Sequence, residues 1–311
     1  MSPVISELQQ ADIPQACQLF QEVFGAAISP AQWRWKYQEG PRLGSLNLVA
    51  RTVHGALVGH FGAVAFPGVV GGRSVAMVQT CDMMVHPLSR GGLEPEGIYS
   101  RLMDALRVAL RKAYPGAYVY GFAGSRPAKL AQRMGYYRAL YKVREGGYVG
   151  PVEPSHSWAL QLAPDPEWDA ERLDKLWGRY GRHSQAPLVT RNGAYLHWRY
   201  RDKPNHTYQL WILKQFWRDT GWMVSATDAQ GKVVLIDAML SAAVRPEVAL
   251  ARLWFAINGK RSQPTSPLTH WLMCDAQTSR ATPHVAGEFR VDEWHTEFKT
   301  PNFQPGDTDV F

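Results

Sequence analysis

The fold turns on residues 75–110, VAMVQTCDMMVHPLSRGGLEPEGIYSRLMDALRVAL. Val75, Met77, Met83, Met84 and Val85 are apolar, and Gly71-Gly72 and Pro87 bound the run. That is the length and content of a buried strand. A helix follows. Ile98, Leu102, Leu106 and Leu110 recur every fourth residue, Ala105 and Ala109 fill the stripe, and Arg101, Asp104, Arg107 and Arg111 take the other face. Between the two lie Ser89, Arg90, Gly91 and Gly92, with Gly97 just before the helix. A helix start leaves backbone N–H groups without intrahelical partners and carries about half a positive charge. A glycine turn beside it lets a phosphate approach closely. The segment is a candidate anion site, with Arg90 as its side-chain charge. Many strand–glycine–helix junctions bind nothing, so the junction alone leaves both readings open.

Val85-His86-Pro87 ends the strand, and Arg90-Gly91 and Gly97-Ile98 make the turn and the helix start. Residues 118–136, YVYGFAGSRPAKLAQRMGY, add a strand, a helix and a closing Gly-aromatic pair. In this order the motifs resemble the GNAT superfamily of acyl-CoA-dependent N-acetyltransferases, over roughly residues 4 to 141. The family pattern is a strand ending V-x-P, then Q/R-x-x-G-x-G/A, then a helix. The resemblance implies an α/β (α+β) fold with a mixed, mainly antiparallel central sheet flanked by helices. It implies acetyl-CoA as co-substrate. The backbone of Met83, Met84 and Val85 would hold the pantetheine arm. Arg90, Gly91, Gly92, Gly97 and Ile98 would cradle the pyrophosphate, with Ser125 as a further cofactor contact. The sequence also departs from the family. Arg90 and Gly97 enclose an insertion holding Glu94 and Glu96, acids that suit a helix start themselves. Gly124 and Ala131 stand where many members carry Asn and the general-acid Tyr.

Acyl transfer needs a deprotonated amine, so Asp82, in the strand facing the thioester, is the candidate general base. A buried structural carboxylate is the alternative. Tyr99 and Tyr120 are candidate acids, or packing residues whose hydroxyls meet a partner. His86 has the pKa of a base but sits at a loop. Cys81 adjoins Asp82 and, by strand alternation, points to the other face as a structural thiol.

Composition bounds the rest. The chain has 311 residues, which makes two domains the default, and is 45% apolar, which excludes a disordered chain. Cys17, Cys81 and Cys274 are far apart and odd in number, so no disulfide framework or metal site is expected, and a reducing, cytoplasmic setting is. The start MSPVISELQQAD has no signal-peptide pattern, and the most apolar stretch, 57–70, is broken by His60 and Pro67, so no membrane span is expected. Net charge is +7, yet the basic residues are scattered without a long run, which argues against a nucleic-acid partner. The twelve Trp are dispersed and read as packing.

A strand over 4–8, a helix stripe from Ile13 to Phe24 with Asp12 as N-cap, a helix over 30–37 and a hairpin around His54-Gly55 precede the central strand. Residues 151–166 are rich in Pro and Ser and read as a linker, with one strand at 158–162. Then the sequence repeats itself. Trp35-Lys36-Tyr37-Gln38-Glu39-Gly40-Pro41 is echoed by Trp198-Arg199-Tyr200-Arg201-Asp202-Lys203-Pro204, one domain's length later, and strands and a helix follow both. Two GNAT-like domains in tandem are expected, 1–145 and 168–311, joined by 146–167. The tail Gly306-Asp307-Thr308-Asp309-Val310 also resembles tandem-GNAT proteins. The second junction, residues 240–247, has no glycine and starts its helix with Glu247, so the cofactor is expected in the first half.

The implied activity is N-acetyl transfer from acetyl-CoA to a primary amine by direct attack, the acceptor being a small molecule or peptide and the protein a monomer or homodimer. The alternatives are a degenerate, non-catalytic GNAT-like binding module, or a peptidoglycan or aminoacyl-tRNA-dependent transferase. The last would want a coiled-coil insertion, which the chain lacks.

Overall fold

The computed structural model describes residues 3–90, 97–148, 159–228, 231–259, 268–275 and 284–291. Gly91, Gly92, Glu94, Glu96, Trp158 and the tail at 306–310 lie outside them, as does the side chain of Cys274.

The chain opens with β1 (Val4–Glu7), α1 (Ile13–Phe24) and α2 (Pro30–Gln38). Asp12 caps differently from expectation. Its Oδ2 accepts the Gln9 backbone N–H at 2.7 Å and closes a 3-10 turn ahead of α1, rather than capping α1 itself. Gly25 ends α1 in the left-handed conformation. β2 (Gly44–Arg51), β3 (Leu57–Val70) and β4 (Arg73–Val85) make an antiparallel meander. Then α3 (Ile98–Ala113) crosses over and β5 (Tyr118–Gly124) runs parallel to β4. α4 (Ser125–Arg133) and β6 (Tyr137–Tyr148) follow. The second half contains β7 (Leu160–Pro164), α5 (Ala170–Leu176), β8 (Leu188–Val189), α6 (Gly193–Leu196) and the antiparallel β9 (Tyr208–Gln215), β10 (Arg218–Thr227) and β11 (Val233–Leu240). It closes with α7 (Pro246–Asn258), β12 (Leu268–Asp275) and β13 (His284–Phe289).

The mixed, mainly antiparallel architecture is the expected one, with a difference. The two halves share a single 13-stranded sheet, ordered β1-β2-β3-β4-β5-β13-β6-β12-β11-β10-β9-β7, with β8 on β3. Strand β13, from the far end of the chain, lies between β5 and β6 and is antiparallel to both. Strand β6, from the first half, lies beside β12 of the second. Each half thus completes the other's sheet. The inserted strand is well packed: Ala286, Glu288 and Phe289 are buried, Glu288 pairs with Arg138, and the Phe289 ring meets Phe61 with centroids 5.8 Å apart.

The sheet separates two cores. On one face α3 lays Leu102, Leu106 and Leu110 against Ala63, Ala65, Val78 and Val119. On the other, Trp33, Trp35 and Tyr37 of α2 join Val64, Phe66 and Met77 with Tyr195, Trp198 and Tyr200 of the second half. The repeated tryptophans meet here. Their rings stack at 5.0 Å. The Trp35 indole N–H donates to the Trp198 carbonyl at 2.8 Å, and the Trp198 indole N–H to the Trp35 carbonyl at 3.0 Å. Reciprocal bonds of this kind are what a two-fold relation between two like surfaces produces. Gly40 makes the approach possible: its φ is +86°, and a Cβ there would lie 2.4 Å from Trp198.

A chain ending at residue 283 would leave β5 and β6 without their shared neighbour. It is expected to lose the cooperative thermal transition of the whole protein, measured by circular dichroism. A first half that melts cooperatively without β13 would count against the shared sheet.

Candidate active site

Asp82 sits where β4 breaks step. Its partners on β3 skip a residue between Cys81–Gly62 and Met84–His60, a β-bulge, and its φ is +51°. A left-handed non-glycine residue costs of order 1–3 kcal/mol and persists only where its surroundings hold it. Here they do. Lys36 Nζ donates to both carboxylate oxygens at 2.8 and 2.7 Å, and the Tyr37 hydroxyl donates to Oδ2 at 2.7 Å. His60, fully buried, touches the Asp82 carbonyl through Nδ1 at 2.9 Å and the Asn47 amide through Nε2 at 3.1 Å. Gly62 gives Tyr37 its room, since a Cβ would stand 2.5 Å from the hydroxyl. The bulge also reverses one expectation. Cys81 does not point away from Asp82's neighbours, because the Tyr37 hydroxyl reaches its sulfur at 3.5 Å as well.

The electrostatics follow from burial. Lys36 and Asp82 side chains are 7% and 10% exposed, and removing one partner of such a pair costs about 3–5 kcal/mol. Burial, then the Asp82 charge, holds the Tyr37 hydroxyl well above its ordinary pKa, so it stays a hydrogen-bond donor. Burial pushes His60 down to about 4, so the ring is neutral at pH 7.

The second half repeats the motif. The Tyr200 hydroxyl donates to Asp237 Oδ2 at 2.7 Å, and Arg191 Nε pairs with the same oxygen at 2.8 Å, with the whole group buried. The tyrosines of the two repeated heptads therefore hold equivalent aspartates. The sequence reading singled out the heptad but took it as packing, and so missed Lys36, Tyr37, His60 and Asp237.

Beyond the bulge the sheet opens. The parallel ladder between β4 and β5 runs only from Met77–Tyr118 to Thr80–Gly121, while β4 continues to Val85 and β5 to Gly124. Met83, Met84 and Val85 lie on β4 past its last pair with β5. The Met84 side chain is buried. Arg90 Nε donates to the Val85 carbonyl at 3.0 Å, with the side chain exposed. Gly97 is the N-cap residue of α3, with no side-chain cap, and Ile98 begins the helix. Ser125 begins α4 and is half-buried. Tyr120 lies in the same core as Tyr37, with its backbone carbonyl accepting from Thr80 at 3.2 Å. Tyr99 is not brought to Asp82. It packs with Tyr136 in the core under α3, on the opposite sheet face. His86 Nε2 faces Glu22 at 3.4 Å, away from the opening. Among the described residues no cluster suits a metal ion, and Cys17 and Cys81 are thiols rather than disulfides.

The sequence pattern of the acetyltransferase (GNAT) domain matches residues 4–139. Residues 4–139 thus carry the pattern of a GNAT acetyltransferase domain. No curated protein matches the chain. Among solved structures, the fold is similar to a conserved protein of unknown function from Enterococcus faecalis, described as a probable N-acyltransferase, at 12% identity and a TM-score of 0.64, over 93% of this chain and 71% of that one. A GCN5-related N-acetyltransferase from Anabaena variabilis is similar at 14% identity and a TM-score of 0.64, over 92% and 71%. One from Sphaerobacter thermophilus matches at 15% and 0.54, over 92% and 94%. At such identities the likeness is one of fold. It extends over both halves, whereas the GNAT pattern stops at residue 139. The GNAT domain therefore holds both the Asp82 bulge and the opening between β4 and β5.

A neutral His60 gives the GNAT domain a pH dependence. The unfolded ring binds a proton near pH 6.5 and the folded one near 4. Stability should fall as pH drops through that window, by up to about 3 kcal/mol near pH 4. Urea midpoints measured from pH 7 to 4 should follow this fall, and a His60→Gln variant should show a flatter profile.

Proposed function

We propose that the protein is an acyl-CoA-dependent N-acyltransferase, with acetyl-CoA bound in the opening between β4 and β5. The observation that carries this is the ladder ending at Thr80–Gly121, directly before the Asp82 bulge. Past that point the β5-facing edge of β4 at Met83–Val85 has no ladder partner on β5, and alternate residues of a strand edge aim their N–H and C=O outward. An extended ligand rich in amides satisfies such groups as an added strand would. The pantetheine arm is a ligand of that kind. Arg90, already fixed to the Val85 carbonyl, and the N-terminus of α3 at Gly97 and Ile98 offer positive charge for the pyrophosphate.

In the transfer, the acceptor's amine nitrogen bonds the thioester carbonyl carbon and the carbon–sulfur bond breaks. The thiolate leaves and takes up a proton, and the amine gives one up. Asp82 is the residue proposed to accept from the acceptor's ammonium. Its carboxylate has about four lone-pair positions, of which Lys36 and Tyr37 use three. Lys36 and Tyr37 hold it in place, and Tyr120 lines the same core. A primary amine on a small molecule or peptide is the proposed acceptor.

One observation favours a second reading. The Asp82 carboxylate is largely covered and already accepts three hydrogen bonds from Lys36 and Tyr37, as in a structural ion pair. A non-catalytic acyl-CoA-binding module would have the same opening and no turnover.

Calorimetry separates the halves. Arg90→Ala should raise the Kd for acetyl-CoA about tenfold to a hundredfold, the loss of one charge-assisted bond. Arg245→Ala, whose exposed guanidinium faces Glu247 at the second junction, should leave it unchanged. The reverse ranking would move the cofactor to the second half.

Asp82→Asn should lower kcat/KM for amine acetylation about 10²–10⁴-fold while acetyl-CoA still binds. If wild type binds acetyl-CoA and releases no CoA with any of a panel of amines, the binding module is the better account.

A further inference from the structure

Away from the Asp82 bulge, the sheet carries a groove of about 610 Å³ where the two halves meet. Its walls are Pro67 and Val69 of β3, the start of β4, Leu43 just ahead of β2, and Trp177, Arg182 and Thr190 of the second half. The volume lies in the range of small-molecule pockets, roughly 300–1,000 Å³. Ala76, the last β4 residue in the wall, and Asp82 are about 20 Å apart along the strand. The groove is therefore separate from the opening proposed for acetyl-CoA.

Backbone hydrogen bonds tie the walls together. The Thr190 N–H donates to the Pro67 carbonyl at 2.8 Å and the Gly72 N–H to the Ser184 carbonyl at 3.3 Å, and β8 pairs with β3 at Gly68–Val189. Both walls are fixed before any ligand arrives, which spares part of the ordering cost of binding. The second-half wall has an uncommon backbone. Trp177–Gly181 is a π-helical turn, closed by the Arg182 N–H on the Trp177 carbonyl at 3.1 Å. Such turns are rare and recur at functional sites. Gly181 permits this one, since a Cβ there would collide with the Trp177 ring. The turn brings a half-buried indole and an exposed guanidinium to one groove. Among the described residues Arg182 is the one charged side chain in the walls, and its guanidinium makes no hydrogen bond or ion pair with them. Leu43 is 54% exposed, apolar surface that an occupant would cover.

We propose that this groove binds a small aromatic carboxylate, with its ring against Trp177 and the apolar wall and its carboxylate on Arg182. A ring against an indole gains more than its buried area, and a guanidinium takes a carboxylate in two parallel bonds. Because both halves supply walls, an occupant stabilises their junction.

The test is calorimetry of the full chain with naphthalene-2-carboxylate and its neutral isostere naphthalene-2-carboxamide. The carboxylate should bind one to one and about tenfold more tightly than the amide, the effect of a charge-assisted bond at a partly exposed site. Arg182→Gln should remove that preference and leave the Kd of the amide unchanged. Leu43→Asp should abolish binding of the carboxylate. Saturating acetyl-CoA should leave both constants unchanged. Should Leu43→Asp melt early, the preference in Arg182→Gln decides the matter. No binding by wild type, equal affinity for the two probes, a preference that survives Arg182→Gln, or displacement by acetyl-CoA would overturn the inference. So would a wild type that elutes as a dimer beside a Leu43→Asp variant that elutes as a monomer, which would make the groove a contact between copies of this chain.

Discussion

A buried strand needs a backbone partner on each side, and β5 obtains one of its two from the far end of the chain. The site depends on that constraint. β5 is the strand from which β4 separates, and its position is fixed on its other edge by β13. In turn β13 is fixed by β6, which reaches across to β12. The opening beside Asp82 is therefore held by both halves, although the residues that line it belong to the GNAT domain. This gives the second half a role that needs no ligand of its own.

The interior between the halves follows the same logic. Trp35 and Trp198 exchange indole hydrogen bonds, and each repeated tyrosine reaches an aspartate in its own half. In the second half, Arg191 pairs with Asp237 in full burial. In the first, Lys36 takes that place beside a strained bulge and an open ladder. The same scaffold thus carries a closed polar group on one side and one next to a cleft on the other. Buried polar groups of this kind must be fully satisfied, and strain at Asp82 is concentrated where the strand opens.

Much of the first half was legible in the sequence. The apolar run 75–85 and the fourfold stripe of α3 are local signals, and local signals survive folding. The heptad repeat marked the two segments whose tryptophans stack. What was not legible depended on distance along the chain. Nothing near residue 288 says that it will lie beside Tyr120. Lys36 and Asp82 are 46 residues apart, and their meeting depends on a bulge that simple alternation cannot show. Tyr99 was a candidate acid because Ala131 stands where the family's general-acid Tyr is usual. Its place next to the Ile98–Leu102 stripe pointed to the face under α3, and there it packs.

The central claim is that acetyl-CoA completes the strand edge beyond Thr80. Hydrogen–deuterium exchange with and without acetyl-CoA tests it most directly. Slowed exchange is expected at the amides of Met83 to Val85 and at the start of α3 from Ile98, with the end of β11 unchanged. Slowing confined to β11 and α7, or none at saturating acetyl-CoA, would contradict it.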